Sequence, residues 1–198
     1  MKEQSQHLAR LISNVFSPPV IWGVLVFPVS FHFAETPHQA LTWALTYSVL
    51  VCLLPALFIA FLVWRGRITD IHMRVRQQRI WPFLFALTCA LLAWAALNMM
   101  KAPTMVPMLA LATLVQLGVM LLVTLVWQIS VHAMSITGAV VFAAALFGPA
   151  AGLLLSPLIP VVGASRVLLQ RHTISQVVAG GAVGATLTLL IVMLSVQN

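Results

Sequence analysis

A short polar segment near the C-terminal end, SRVLLQRHTISQV (165–177), interrupts an otherwise apolar sequence. Its Arg166 carries a planar guanidinium that suits paired hydrogen bonds to phosphate or carboxylate oxygens. His172 follows six positions later and Gln176 four after that, so a helix that begins near His172 places both on one face. The start of such a helix also presents free backbone N–H groups to an anion. The spacing therefore predicts an anion site that includes an imidazole.

A second polar segment, WQISVHAMS (127–135), repeats this pattern less completely, because Ser130 and His132 open another predicted helix. A lone histidine at a helix end is more often a satisfied polar residue than a catalyst. Two histidines on one membrane face, together with a serine and several arginines, instead predict a site that handles phosphate. One imidazole would attack phosphorus and the other would protonate the leaving group.

The composition identifies an integral membrane protein and restricts its chemistry. Of 198 residues, 62% are hydrophobic and only 7% charged, whereas about a quarter are charged in a soluble domain. The acidic residues are Glu3, Glu35 and Asp70, which nearly excludes paired-carboxylate catalysis and a carboxylate metal cage. The net charge of +7 suits anionic headgroups or phosphates, but a membrane protein also carries cytoplasmic Lys and Arg for topological reasons, so the charge alone is weak evidence about the substrate.

Hydropathy predicts an all-α, polytopic transmembrane helix bundle of six or seven spans, which forms a single integral membrane domain over 1–198. A span needs about 20 apolar residues. The candidates are 16–34, 41–64, 80–99, 104–127, 132–149, 150–164 and 174–196. The sixth candidate is short and holds Pro157 and Pro160, so we expect it to be kinked or only partly inserted. The oligomeric state is left open.

Even numbers of crossings bring the polar segments to one membrane face. Segment 64–82 carries five of the ten basic residues, Arg79 among them, and lies two predicted spans before 127–135. Segment 165–177 follows after two further spans. This face collects nine of the ten basic residues and leaves only Lys101 opposite, so the positive-inside rule predicts that it is cytoplasmic.

The last predicted span contains GGAVG, in which Gly180 and Gly184 follow the GxxxG spacing. Small residues at this spacing let two helices approach closely. We interpret the glycines as a packing surface and not as part of a site.

The two polar segments resemble signatures of a known family. Ser165-Arg166, five residues and then His172 match SRxxxxxHxxxD, the third signature of the phosphatidic acid phosphatase type 2 superfamily. Ile129-Ser130-Val131-His132 resembles the second signature, PSGH, with the serine and histidine kept and the proline and glycine replaced. The resemblance covers about 64–196, the phosphatase-like core.

The segment RVRQQRIWP (74–82) resembles the first signature of the family, KxxxxxxRP, more loosely. Arg79 would be its arginine, Pro82 lies three residues on, and His72 stands at the lysine position. Two spans separate Arg79 from Ser130, whereas relatives usually carry the first two signatures in one loop. At the last position of the third signature this chain has Gln176 in place of aspartate, which is similar to the HTxSQV run of dolichyl diphosphatases.

The resemblance implies a phosphatase that needs no metal and no cofactor and acts on a lipid phosphate or diphosphate, and HTISQV favours an isoprenyl lipid. We therefore expect membrane lipid, and not nucleic acid, as the partner. His172 would attack phosphorus and form a phosphohistidine, His132 would protonate the leaving oxygen, and Gln176 would orient the His172 ring. The residues implied to hold the phosphate oxygens are Arg166, Ser130, Arg79 and Ser165.

Other classes of function stay open. A relative that lacks the lysine and aspartate of the signatures could bind a phospholipid headgroup without hydrolysing it. The same chemistry could also pass the phosphoryl group to an acceptor other than water. A third class is a membrane haem protein with His132 and His172 as axial ligands, which leaves Arg166 unexplained.

Overall fold

The computed structural model describes residues 2–70 and 75–196, and every regular element in these ranges is helical. The all-α fold class is therefore confirmed. The α-helices are α1 (Lys2–Val15), α2 (Pro18–Phe33), α3 (Pro37–Tyr47), α4 (Leu54–Trp64), α5 (Ile80–Met99), α6 (Met105–Thr124), α7 (Val131–Phe147), α8 (Pro149–Leu155), α9 (Leu158–Leu168) and α10 (Ile174–Val196). A π-helix, Ser48–Leu53, joins α3 to α4, and a 3₁₀ turn, Arg76–Arg79, precedes α5. His72, at the lysine position of the first signature, lies outside the described residues.

Several helices are long and apolar enough to cross a membrane, so the chain is an integral membrane protein. In the described ranges five such segments occur: Pro37–Trp64, Gln77–Met99, Met105–Thr124, Pro149–Leu168 and Ile174–Ser195. Helices α1 and α2 form a bent pair that adds a sixth if the pair is one span. Helix α7 has 17 residues and is about 25 Å long, which is short against a hydrocarbon core of about 30 Å. Length and composition thus support at most the lower of the two predicted counts.

The sixth predicted span is longer than expected and is interrupted where its first proline lies. Helix α8 ends at Leu155 and α9 begins at Leu158, directly after Pro157. Proline cannot donate a backbone hydrogen bond and restricts the residue before it, which accounts for the interruption. Together α8 and α9 make a segment of 20 residues whose far end carries Ser165 and Arg166.

One compact unit consists of Met1–Ile21 and Gln128–Asn198. Within it α10 packs along α7, and α1 packs against α9. A Cβ atom on Gly180 would lie 2.5 Å from the Ser130 carbonyl oxygen, and one on Gly184 would overlap the backbone of Met134. The GxxxG spacing is therefore confirmed as a packing surface, which sets the start of α10 beside the start of α7.

The other compact unit is Trp22–Trp127, in which α5 packs against α4 and α6. The hydroxyl groups of Tyr47 and Thr113 lie 2.8 Å apart in the interior of this unit. Phe58 stacks on Phe85 with ring centroids 4.2 Å apart, which ties α4 to α5. The expectation of a single domain over 1–198 stays a prediction.

Candidate functional site

The connection between α9 and α10 folds back on Arg166. Gln170 adopts a left-handed conformation with φ 54°. The Arg171 N–H donates to the Arg166 carbonyl at 3.0 Å and the Gln170 N–H to the Val167 carbonyl at 2.9 Å, the two bonds of a Schellman motif. The His172 N–H also points to the Arg166 carbonyl, at 3.4 Å. The five residues that the third signature leaves unspecified thus form a turn that returns His172 to Arg166.

Gln176 caps α10 and contacts the His172 ring. Its amide oxygen accepts the Thr173 N–H at 3.0 Å, while the Gln176 N–H donates to the Thr173 hydroxyl at 3.3 Å. These reciprocal bonds form a capping box. The same amide oxygen lies 3.3 Å from His172 Nδ1. Because this oxygen only accepts, Nδ1 carries the proton in the neutral imidazole, and Nε2 is the unprotonated nitrogen.

Ser130 begins α7 and joins it to α10. Its hydroxyl accepts the Ala133 N–H at 3.3 Å, which is the usual bond of a serine N-cap. The Ser130 N–H donates to the Gln176 carbonyl at 3.0 Å. Since the hydroxyl acts as an acceptor in the cap, contact with a phosphate oxygen would use the hydroxyl proton.

Ser13, near the end of α1, belongs to the site although the sequence does not predict it. Arg166 Nη1 donates to the Ser13 hydroxyl at 2.5 Å. His132 Nε2 lies 3.1 Å from the Ser13 carbonyl oxygen and 3.5 Å from its hydroxyl. Because a carbonyl only accepts, His132 Nε2 carries a proton in this arrangement. The one hint in the sequence is that Ala9 and Ser13 are small residues one turn apart, a spacing found in many helices.

These contacts connect residues from four helices into one set, which we call the polar cluster: Ser13, Ser130, His132, Arg166, His172 and Gln176. Ser13 links Arg166 to His132, and Ser130 links α7 to Gln176. The Gln176 amide contacts the His172 ring, and the Arg166 carbonyl accepts the His172 backbone N–H. Arg166 is 4% exposed and His172 9% exposed. The structure thus brings together five of the seven predicted site residues.

The remaining two predicted residues, Ser165 and Arg79, are placed differently. The Ser165 hydroxyl donates to the Val162 carbonyl at 2.7 Å, within its own helix. Arg79 belongs to the unit Trp22–Trp127, where it is buried at the start of α5 and interacts electrostatically with Asp70. Phosphate binding by either residue stays a prediction.

The charge of the unit that holds the polar cluster, Met1–Ile21 and Gln128–Asn198, suits an anionic ligand. Its sequence contains one acidic residue, Glu3, against four basic residues that include the buried Arg166. A guanidinium buried in this way needs charge or hydrogen bonds that compensate for its lost hydration, and the Ser13 hydroxyl accepts one such bond.

Over residues 2–70 and 75–196, no group of three or more His, Cys, Asp or Glu side chains could hold a metal ion.

No family model, curated protein or solved structure matches the chain. Membership of the phosphatidic acid phosphatase type 2 superfamily therefore stays a prediction from the sequence signatures.

Proposed function

We propose that this protein is a metal-independent phosphatase of a membrane lipid phosphate or diphosphate. The observation that supports it best is the meeting of His132, Arg166 and His172 in one polar cluster. The three residues come from the start of α7, from α9 and from the turn before α10. A phosphohistidine mechanism needs an acid, an anion-binding group and a nucleophile, and these side chains match the three requirements.

In the proposed reaction His172 attacks phosphorus through Nε2, while the Gln176 amide oxygen holds the Nδ1 proton. The bond between phosphorus and the leaving oxygen breaks, and that oxygen takes the Nδ1 proton of His132, which enters the step as an imidazolium whose Nε2 proton stays hydrogen-bonded to the Ser13 carbonyl. Water, deprotonated by His132, then attacks the phosphohistidine and releases inorganic phosphate and neutral His172. Arg166 would stabilise the charge on the transferring group, since positioning and electrostatics supply most of the rate in phosphoryl transfer.

The test is release of phosphate by the purified chain from an isoprenyl diphosphate, an isoprenyl monophosphate and phosphatidic acid. We expect release from at least one lipid, and a loss of about 10³-fold or more in His172→Ala because the nucleophile is gone. His38→Ala is the matched control, since His38, like His172, lies near the start of a helix but is exposed and outside the cluster.

The lipid product is measured in the same assay, because it separates hydrolysis from transfer. Dephosphorylated lipid without free phosphate would mean that another acceptor receives the phosphoryl group. Phosphate release by His172→Ala at the rate of the parent would contradict the nucleophile assignment. The isoprenyl preference is proposed from the HTISQV run and predicts higher kcat/KM for the isoprenyl lipids than for phosphatidic acid.

We also propose that the cluster faces the cytoplasm across a plasma or inner membrane. The support is the distribution of basic residues over the predicted loops. The test uses Gln170→Cys in a chain whose Cys52 and Cys89 are replaced by alanine, because Gln170 is exposed in the turn next to the cluster. Labelling by an impermeant thiol reagent is expected only after the membrane is opened. Labelling in intact cells would contradict the cytoplasmic assignment.

A further inference from the structure

We propose that Ser13 is a positioning residue for Arg166 and His132, so that helix α1 completes a phosphate site otherwise built from α7, α9 and α10. The inference rests on the proposed function. It adds a residue that no signature contains and a segment, Lys2–Val15, outside the predicted phosphatase-like core of 64–196.

Helix α1 packs so that the side chain of Ser13 is buried. Between Glu3 and Val15 the two buried side chains are Ala9 and Ser13, each 2% exposed and one turn apart. Helix α1 packs against α9, and small residues on one face let two helices approach closely. The Ser13 side chain is therefore enclosed, where a polar group needs a hydrogen-bond partner.

The Ser13 hydroxyl contacts the guanidinium of Arg166. Arg166 Nη1 donates to Ser13 Oγ at 2.5 Å, so the hydroxyl acts as an acceptor and keeps its own proton for a phosphate oxygen. A guanidinium is planar, and a bond at one Nη directs the remaining N–H groups. A hydroxyl that accepts a bond from a cation also becomes a stronger donor. Ser13 thereby orients Arg166 and extends the row of donors that the phosphate would meet.

The Ser13 backbone carbonyl contacts the imidazole of His132. The Ser13 carbonyl lies 3.1 Å from His132 Nε2, which fixes the direction of the imidazole and favours the tautomer with a proton on Nε2. Because this contact uses the carbonyl, a side-chain substitution at position 13 leaves it in place. The contribution of the hydroxyl to Arg166 can therefore be measured separately.

The experiment compares Ser13→Ala, Ser13→Thr and Ser5→Ala in the full chain, with phosphate release from an isoprenyl diphosphate as the readout. We expect Ser13→Ala to raise KM about tenfold or more and to change kcat less, since a bond to a charged group that binds the substrate is lost. Ser13→Thr keeps the hydroxyl and should stay within about threefold of the parent. Ser5→Ala makes the same change at an exposed position of α1 and should match the parent.

Three outcomes overturn the proposal for Ser13. If Ser13→Ala keeps the KM of the parent while His172→Ala is inactive, Ser13 does not position Arg166, and the proposed function stands. If Ser13→Ala is faster than the parent, Ser13 obstructs the site. If Ser13→Thr is impaired as strongly as Ser13→Ala, the effect comes from packing and not from the hydroxyl. Should Ser13→Ala fail to fold, Ser13→Cys replaces it, because a thiol is a weak acceptor of similar size.

A second readout works without turnover. If the parent releases no phosphate from any lipid, the proposed function fails, and binding of orthovanadate, a phosphate analogue, is then measured by vanadium NMR. Weaker binding by Ser13→Ala than by the parent and Ser5→Ala supports Ser13 as part of an anion site. Equal binding by the three proteins overturns that assignment.

Discussion

The amide oxygen of Gln176 lies 3.3 Å from Nδ1 of His172. The third signature has an aspartate at this position, and a carboxylate would both orient the ring and stabilise an imidazolium. An amide orients the ring but adds no charge. Gln176 also belongs to the capping box of α10, so it stabilises the start of that helix independently of any role in catalysis.

Gln176→Leu removes the bond from the Thr173 N–H, which is one half of the capping box, and the contact with His172. We expect kcat/KM to fall by about 10²-fold or more, because the ring loses its orienting partner. The matched control is Gln39→Leu, since Gln39 and Thr36 form the same capping box at α3. Both variants should lose about 1 kcal/mol of stability in thermal unfolding. Equal activity in the two variants would mean that Gln176 is only a cap.

Gln176→Glu keeps the length of the side chain and adds a negative charge. A carboxylate beside His172 favours the protonated imidazole, which cannot attack phosphorus. The acidic limb of the pH–rate profile should therefore move to higher pH by about one unit or more, while the rate above that limb is retained. An unchanged profile would contradict the assignment of His172 as the nucleophile that must be neutral.

The role of His132 predicts a dependence on the leaving group. A lipid monophosphate expels an alcohol, which needs a proton, whereas a lipid diphosphate expels a phosphate ester that leaves readily as an anion. His132→Ala should therefore reduce kcat/KM, which covers the steps up to departure of the leaving group and not the shared hydrolysis of the phosphohistidine, by about 10²–10⁴-fold on an isoprenyl monophosphate and by less on the diphosphate. Equal losses on both lipids would show that His132 does not act as the acid for the leaving oxygen.

Gly184→Ala tests the packing that brings the starts of α7 and α10 together. The added Cβ would overlap the backbone of Met134, so the helices must separate. We expect a loss of about 1–3 kcal/mol in unfolding free energy together with lower activity. Gly118→Ala in α6 is the control, because its Cβ would meet its nearest neighbour, Leu87, at 3.9 Å. Equal stability of the two variants would contradict a close α7–α10 contact.

Local patterns predicted most of the helices. Helix α5 covers Ile80–Met99, the same residues as the predicted span, and α10 covers Ile174–Val196. The length of an apolar run is a property of consecutive residues, so a single segment contains the information. The TxxQ capping box at Thr173 was also readable from four residues, although the prediction assigned Gln176 only the orientation of His172.

Other features were beyond local patterns. The Ser165 hydroxyl bonds back to Val162 although the signature suggests a ligand, since the geometry of α9 offers it a nearer acceptor. The fifth candidate span, 132–149, was by contrast located to within two residues: it is the 17-residue helix α7, which ends ahead of α8 where Gly148 adopts φ 90°.

The sequence by itself determined that this is an all-α membrane protein, and its resemblance to known signatures predicts Arg166, His172 and His132 as site residues. Only the tertiary structure decided that Ser13 joins them. Its bond to Arg166 connects residues 153 positions apart, and it exists because α1 packs against α9. Such a contact depends on the fit of two helix surfaces, which no spacing within one segment encodes.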